Sequence, residues 1–449
     1  MKSSFLKANI KNSYYFILVS AFIYFFYLII SKLDAGTIWK LFWDVNDYRL
    51  QSESSLLSKD FYFPAPKKWF SPRPFTMSLM YKFVNSDTYR MIWFQKYFYF
   101  FSVAILILSI NSCIKNYIVK IISSIFLLFF FSWWNILGWS NNALSEFISV
   151  SFMFLWIASI IWYYKKKSTL SVLTLSIISL LFSFTRDSWP YVILAFFSFN
   201  FIIQLVLDKK MNVKSLLLLA FFVPVFVFQS YTMKVGERNV LPMFNSLVVR
   251  VSQNSNYLNW FEKQGMPDKN LIVTNFKGID VTSNEGMIKL YHSYEDTIYK
   301  KLFNWIKTEG KTVFQKFLIC HPSYLLLFDQ TTEQVNRIYA YNVERYYNKP
   351  DGFFLNAHNF FPVFNNFIFY VLMAACFVLF YKTKDEFFLV PILIVFFIII
   401  NVLITYNADT LEVERHLYFT VILRELLCIV SVLFIIDYFI NRHKRINTI

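Results

Sequence analysis

Long apolar runs separated by short basic clusters make up most of the chain. Runs of about 18 or more apolar residues are the signature of membrane-spanning helices. Ten are predicted, at about 14–32, 92–112, 117–135, 144–163, 169–185, 189–207, 215–231, 362–381, 387–405 and 416–440, with ends good to a few residues. Two long polar segments interrupt the series, 33–91 and 232–361. Val313–Phe328 is apolar but short, and it carries Lys316, His321 and Pro322, so it is assigned to a folded domain rather than a span. Within Met287–Lys307, Ile288, Tyr291, Tyr294, Ile298 and Leu302 recur at helical spacing, which predicts an amphipathic helix. The pattern predicts an all-α membrane protein in three parts. Residues 1–231 form a module of about seven helices, 232–361 a mostly helical extracytoplasmic domain, and 362–449 a three-helix segment.

Charge gives this pattern a sidedness. With the N-terminus inside, the inside segments hold Lys115, Lys165, Lys166, Lys167, Lys209, Lys210, Lys214, Lys382, Lys384, Arg442, Lys444 and Arg445. Nearly every short inside loop is then basic, as the positive-inside rule requires. Both long polar segments fall outside, and both termini are cytoplasmic. Lys2, Lys7 and Lys11 precede the first apolar run. That run is long and shows no clear small-x-small cleavage site, so it is predicted to be a retained helix.

The chain is 57% hydrophobic and 16% charged, against about 25% charged in soluble domains. Its formal charge of +16 fits basic inside loops and attraction to anionic membrane lipids. Nucleic acid is not an expected partner, because the basic residues are dispersed between apolar runs instead of gathered on one folded face. Cys113, Cys320, Cys376 and Cys428 suggest no disulfide framework, and the histidines lack metal-ligand spacing. No cofactor is predicted. A divalent ion bridging Asp44 or Asp47 to a phosphate is chemically allowed but not required.

The polar residues that stand out all fall at the outer ends of predicted helices, where an ionisable group is a functional candidate by default. In Trp43-Asp44-Val45-Asn46-Asp47-Tyr48, Asp44 and Tyr48 are four apart and share a helix face, with Asp47 beside them. A carboxylate there can deprotonate an acceptor hydroxyl, or simply cap a helix. Arg73, in Ser71-Pro72-Arg73-Pro74, suits a bidentate phosphate contact or an interfacial anchor. Glu146 sits in the first turn of the fourth span, where an acid also meets the helix dipole favourably. Arg186 and Asp187 close the fifth span and are able to pair with each other, and Arg415-His416 opens the tenth. Topology gathers these residues on one side at similar depth. Together they supply a base and several cations, the set needed to activate a hydroxyl and hold a departing lipid phosphate.

The order of these features resembles the GT-C superfamily of polyprenol-dependent glycosyltransferases. The matching positions are Asp44 with Tyr48, Arg73 with Pro74, Gln95 near the start of the second span, Glu146, Arg186, and Arg415 with His416. The resemblance covers roughly the first 210 residues and, more loosely, about the last 40. It implies an Asp base and inverting transfer from a polyprenyl-phosphate sugar to a glycan, lipid or protein acceptor, in a bacterial cytoplasmic membrane. It also implies substrate binding by Tyr48, Arg73, Gln95, Glu146, Arg186, Arg415 and His416, and Asp187, next to Arg186, is expected to join them. Val45 departs from the small residue that many members carry after the Asp, and Asp47 competes with Asp44 for the role of base. The segment 232–361 matches no acceptor-binding domain.

Two alternatives stay open. An O-antigen polymerase or ligase also joins lipid-linked sugars outside the membrane, and the arginines it favours in a large loop are present as Arg238, Arg250, Arg337 and Arg345. A transporter would show internal repeats and midplane ionisable groups. The chain shows no repeat, and the middles of the predicted spans are nearly free of charge.

Overall fold

The computed structural model describes residues 2–32, 43–64, 72–209, 211–279, 284–328, 366–408 and 413–446. Among these residues there is no β-strand. The apolar runs are helices: α1 (Lys2–Tyr27), then, after α2 (Trp43–Glu53) and α3 (Phe75–Phe83), α4 (Thr88–Cys113), α5 (Tyr117–Phe131), α6 (Ser145–Lys166), α7 (Thr169–Ser183), α8 (Trp189–Asp208) and α9 (Val213–Val235). A further helix, α10 (Val240–Val249), and several short ones lead to α11 (Asn366–Thr383), α12 (Leu389–Ala408) and α13 (Val413–Ile446).

Capping residues define where several helices begin. Asp87, Asn116, Ser168 and Asn212 accept backbone N–H bonds at the starts of α4, α5, α7 and α9, satisfying donors a helix start leaves unpaired. Pro190 occupies the first turn of α8, where its missing N–H costs nothing.

Among the described residues, seven helical segments are long and apolar enough to cross a membrane: Ile10–Ile30, Thr88–Cys113, Ser145–Lys166, Trp189–Leu207, Val213–Val235, Glu386–Ala408 and His416–Arg442. The other three expected spans are the shorter apolar helices Tyr117–Phe131, Thr169–Ser183 and Phe367–Thr383. A 15-residue helix such as α5 rises only about 22 Å, short of a hydrocarbon core about 30 Å thick. Among the described residues the fold therefore has seven helices of full spanning length, compatible with an integral multi-pass membrane protein.

The two ends of the bundle differ in chemistry. At one end, Asp437 of α13 accepts the backbone N–H groups of Lys115 (3.1 Å) and Asn116 (2.8 Å) before α5. There too, Lys165 bonds the Ser112 carbonyl, Lys167 pairs with Glu386, and Lys214 bonds the Lys167 carbonyl. Lys115, Lys165, Lys167 and Lys214 at this end all belong to predicted inside loops. The opposite end carries α2, α3, the α5–α6 connection and the start of α13, joined by Thr76 N–H to Phe184 (3.1 Å), Tyr81 hydroxyl to Ala143 (3.0 Å) and Tyr418 hydroxyl to Glu146 (2.6 Å).

A second hydrophobic cluster, running from Val240 to Tyr324, packs separately from the main core. Its helix Asn284–Glu295 stops before Asp296, and a separate helix covers Lys300–Trp305. The expected continuous amphipathic face is corrected in part: Ile288 and Ile298 are exposed, Leu302 and Tyr294 do pack in the cluster as expected, and Leu290, Tyr299 and Trp305 join them. Val313–Phe328 is divided between the helices Lys311–Cys320 and Pro322–Leu325, with Phe317 and Tyr324 in this cluster. Arg250 fastens the cluster to the end of α12. It is buried, donates to the Tyr324 carbonyl (2.7 Å) and to Asn407 Oδ1 (3.1 Å), and lies over the Tyr324 ring at 3.4 Å.

Candidate functional site

On α2, Asp44, Asp47, Tyr48 and Gln51 fall at i, i+3, i+4 and i+7, one face of a helix. That polar stripe is the face α2 turns inward. Asp47, Tyr48 and Gln51 are buried, whereas Asn46, Arg49 and Leu50 are exposed. The acids do not face each other unpaired. Arg73 stands between them, donating from Nη2 to Asp44 at 2.5 Å and from Nε and Nη2 to Asp47 at 3.2 and 3.0 Å. The place a divalent cation would take between the carboxylates is thus filled by a guanidinium.

Arg73 is delivered by its backbone. The flanking Pro72 and Pro74 bias the segment to an extended conformation. Gln51 then clamps the Arg73 peptide, accepting from its N–H (3.0 Å) and donating to its carbonyl (3.0 Å) while also donating to the Phe61 carbonyl (2.8 Å). Burial opposes the charge on Arg73, but Asp44, Tyr48 and Asp47 outweigh it and hold the guanidinium pKa above its usual value. Arg73 stays a cation at every working pH. The two acids differ in access. The Asp44 side chain is 27% exposed and that of Asp47 7%, so Asp44 is the more accessible of the two acids.

Tyr48 carries the site toward α6. It shares a hydrogen bond with the Ser145 side chain, and burial, with Asp44 and Glu146 adding to it against Arg73, pushes its phenol up to about 12. It is a neutral hydrogen-bonding group, not a base. Glu146, next to Ser145 in the first turn of α6, is 1% exposed. From the other side, the Tyr418 hydroxyl donates to the Glu146 carbonyl.

Two residues before Tyr418, His416 opens the described part of α13's side chains. Its Nδ1 meets Nη2 of Arg186, whose guanidinium lies over the Phe419 ring at 5.4 Å. Among the described residues the buried Arg186 Nη1 has no hydrogen-bond partner. Arg186 does not pair with its neighbour Asp187. Asp187 accepts from Gln229 Nε2 (2.5 Å) and Arg238 Nη2 (3.1 Å), tying the end of α7 to α9.

The structure thus joins Asp44, Asp47, Tyr48, Arg73 and Glu146 in one connected region and continues it to His416 and Arg186. Gln95 is placed differently. It is fully buried and donates to the carbonyls of Ser140 (2.7 Å) and Asn142 (2.8 Å), bracing the α5–α6 connection. The Arg415 side chain, Arg337 and Arg345 lie outside the described residues. Four features escaped the sequence pattern. Gln51 completes the α2 stripe, and its i+7 spacing from Asp44 was the available signal. Lys96 is fully buried one residue after Gln95, beside Trp93 at 5.3 Å. The pairing of Arg238, noted in the sequence only as a large-loop arginine, with Asp187 is the third. Arg424 and Glu425, both buried and bonded at 2.6 Å, sit inside the long apolar helix α13 and correct the expectation of nearly charge-free spans.

No family model matches the chain, and no curated protein matches it.

Proposed function

We propose that the protein is an integral-membrane glycosyltransferase with ten spans. Its site faces the outside of the membrane and moves a sugar from a polyprenyl-phosphate donor to an acceptor hydroxyl of a cell-envelope glycan, lipid or protein. The observation that carries this is the gathering, at the end of the bundle opposite the lysines, of an accessible carboxylate and an arginine–histidine pair. In this reading Asp44 takes the proton of the acceptor hydroxyl as its oxygen attacks the anomeric carbon, and the phosphate leaves with the bonding electrons. Arg73, itself held by Asp47, fixes Asp44 in place. Arg186, positioned by His416, offers its fork to the leaving phosphate, which needs cationic stabilisation and little other help.

The test is turnover of polyprenyl-phosphate sugars by detergent-purified protein. Asp44→Asn keeps the shape but removes the base, so turnover falls by about 10²–10⁴-fold while lipid binding survives. Asp47→Asn, which loosens Arg73, costs less. Equal turnover in wild type and Asp44→Asn removes Asp44 as the base. Failure of the wild type to bind or consume any such lipid removes the whole reading.

A transporter is the second reading, favoured by the ion pair Arg424–Glu425 inside α13, because intramembrane charges mark transport pathways. Uptake by proteoliposomes, with loss in Glu425→Gln, would support it instead.

A further inference from the structure

The domain built on the Val240–Tyr324 cluster ends in a turn that lies against the helix bundle. Leu327 packs, with Val402, against Tyr406 and Leu417. Tyr406 is near the end of the apolar segment Glu386–Ala408, and Leu417 is near the start of His416–Arg442. Val402 is a turn and more before Ala408, about 9 Å deeper at a rise of about 1.5 Å per residue. Leu327 therefore sits at the rim of the apolar zone, level with the ends of two spanning-length helices. Asn407 Nδ2 and Arg250 Nη2 hold it there by donating to the carbonyls of Leu325 (3.1 Å) and Tyr324 (2.7 Å).

The residues on either side of Leu327 are turned outward. Leu326 is 43% exposed and Phe328 80%. Consecutive Cα atoms are only about 3.8 Å apart, so neither is far from the rim. Leu327 reaches inward between them by taking φ 63°, a left-handed conformation that is costly for a leucine. Ile319, in the last turn of the helix Lys311–Cys320 that feeds this segment, is also 80% exposed. A lone exposed leucine on a soluble surface needs no account. A leucine and a phenylalanine exposed at the depth where a bilayer begins select acyl chains over water.

The backbone is prepared for that environment. The N–H groups of Tyr324 and Leu325 donate to the His321 carbonyl (3.0 and 3.1 Å), that of Leu326 to Pro322 (2.9 Å), that of Leu327 to Tyr324 (3.2 Å) and that of Phe328 to Ser323 (2.8 Å). A turn with its donors satisfied internally can enter a layer that offers few partners. Charge agrees. Residues 311–328 carry Lys311, Lys316 and His321 and no acid, which suits a surface of phospholipid headgroups. The stretch is too short to span, so it lies on the membrane rather than across it.

We infer that Ile319, Leu326 and Phe328 form a lipid-facing foot, immersed in the phospholipid leaflet at the bundle end opposite the lysines, that pins this domain to the membrane surface. The inference stands without the glycosyltransferase reading. It is tested on the full chain in vesicles of phosphatidylcholine and phosphatidylglycerol. A bimane fluorophore is attached at Phe328→Cys in a Cys320→Ser background, and the Cys320→Ser protein alone supplies the signal to subtract. Nitroxide-bearing lipids are expected to quench the label and aqueous iodide to leave it largely unquenched. Adding Ile319→Glu and Leu326→Glu, both at exposed positions and so tolerated by the fold, reverses the two quenching results. Strong iodide quenching with no nitroxide quenching before those changes overturns the inference, because the turn then faces water. Shielding from both quenchers also overturns it, because another stretch of this chain or a second copy then covers the turn. Nitroxide quenching that survives both glutamates overturns the anchoring role, because the apolar side chains then do not hold the turn in the leaflet.

Discussion

Arg186 and His416 are 230 positions apart, yet the guanidinium of one meets the imidazole Nδ1 of the other. The contact joins the end of α7 to the start of α13, and among the described residues the buried Arg186 Nη1 has no hydrogen-bond partner. A cation presented this way, backed by an aromatic ring and held on one side, matches the fork by which arginine takes a phosphate. Arg186→Gln should weaken binding of polyprenyl phosphate by roughly 10–100-fold, the value of a charge-assisted hydrogen bond or two. Arg186→Lys should recover part of that loss, since lysine keeps the charge but not the planar fork. Unchanged affinity in Arg186→Gln, measured by titration in detergent, would place the phosphate elsewhere.

Gln51 is a positioning residue for Arg73. Its side-chain amide satisfies the N–H and carbonyl of Arg73 and the carbonyl of Phe61. Gln51→Leu keeps the volume but strands buried backbone groups, at about 1–3 kcal/mol for each group left unpaired. A lowered thermal midpoint should accompany reduced turnover, with affinity for bare polyprenyl phosphate unaffected. A variant as stable as wild type would show that water replaces the amide.

The ion pair inside α13 gives an opposite pattern for single and double changes. Removing one charge of a buried pair leaves the other uncompensated, at a cost of about 3–5 kcal/mol, whereas replacing both with apolar residues is often neutral. Arg424→Leu and Glu425→Leu should each lower the thermal midpoint sharply, and the double variant should restore most of it. If the double variant is as unstable as the singles, Arg424 and Glu425 serve groups beyond each other.

Tyr48 makes stability depend on alkaline pH. In the unfolded chain a tyrosine loses its proton near its ordinary value of about 10, while burial holds Tyr48 to about 12. Below pH ~10 both states keep the proton and nothing is lost. Between pH ~10 and ~12 the unfolded state alone ionises and gains in free energy, so folding weakens by about 2–3 kcal/mol across that window. Thermal midpoints of wild type should fall over this range, and Tyr48→Phe should fall less. The slope that survives in Tyr48→Phe belongs in part to Tyr81, whose buried phenol is also raised. Identical slopes in the two proteins would mean that Tyr48 is not buried in solution.

The sequence by itself determined the helices and the polar stripe of α2. Both are local properties. An apolar run long enough to cross a membrane is one regardless of its neighbours, and Asp44, Asp47 and Tyr48 share a face because 3.6 residues make a turn. Where several helices begin was also legible, in Asp87, Asn116, Ser168 and Pro190. What only the tertiary structure decided is which polar groups pair. Arg186 ignores the adjacent Asp187 for a histidine on another helix, Arg73 divides itself between two acids, and Gln95 braces a loop although its position suggested a ligand contact. Arg424 and Glu425 were hidden inside an apolar run because a hydropathy pattern averages over single residues. Side-chain partners depend on distances between segments far apart in the chain, and those distances are set by how the helices pack, which no local pattern contains.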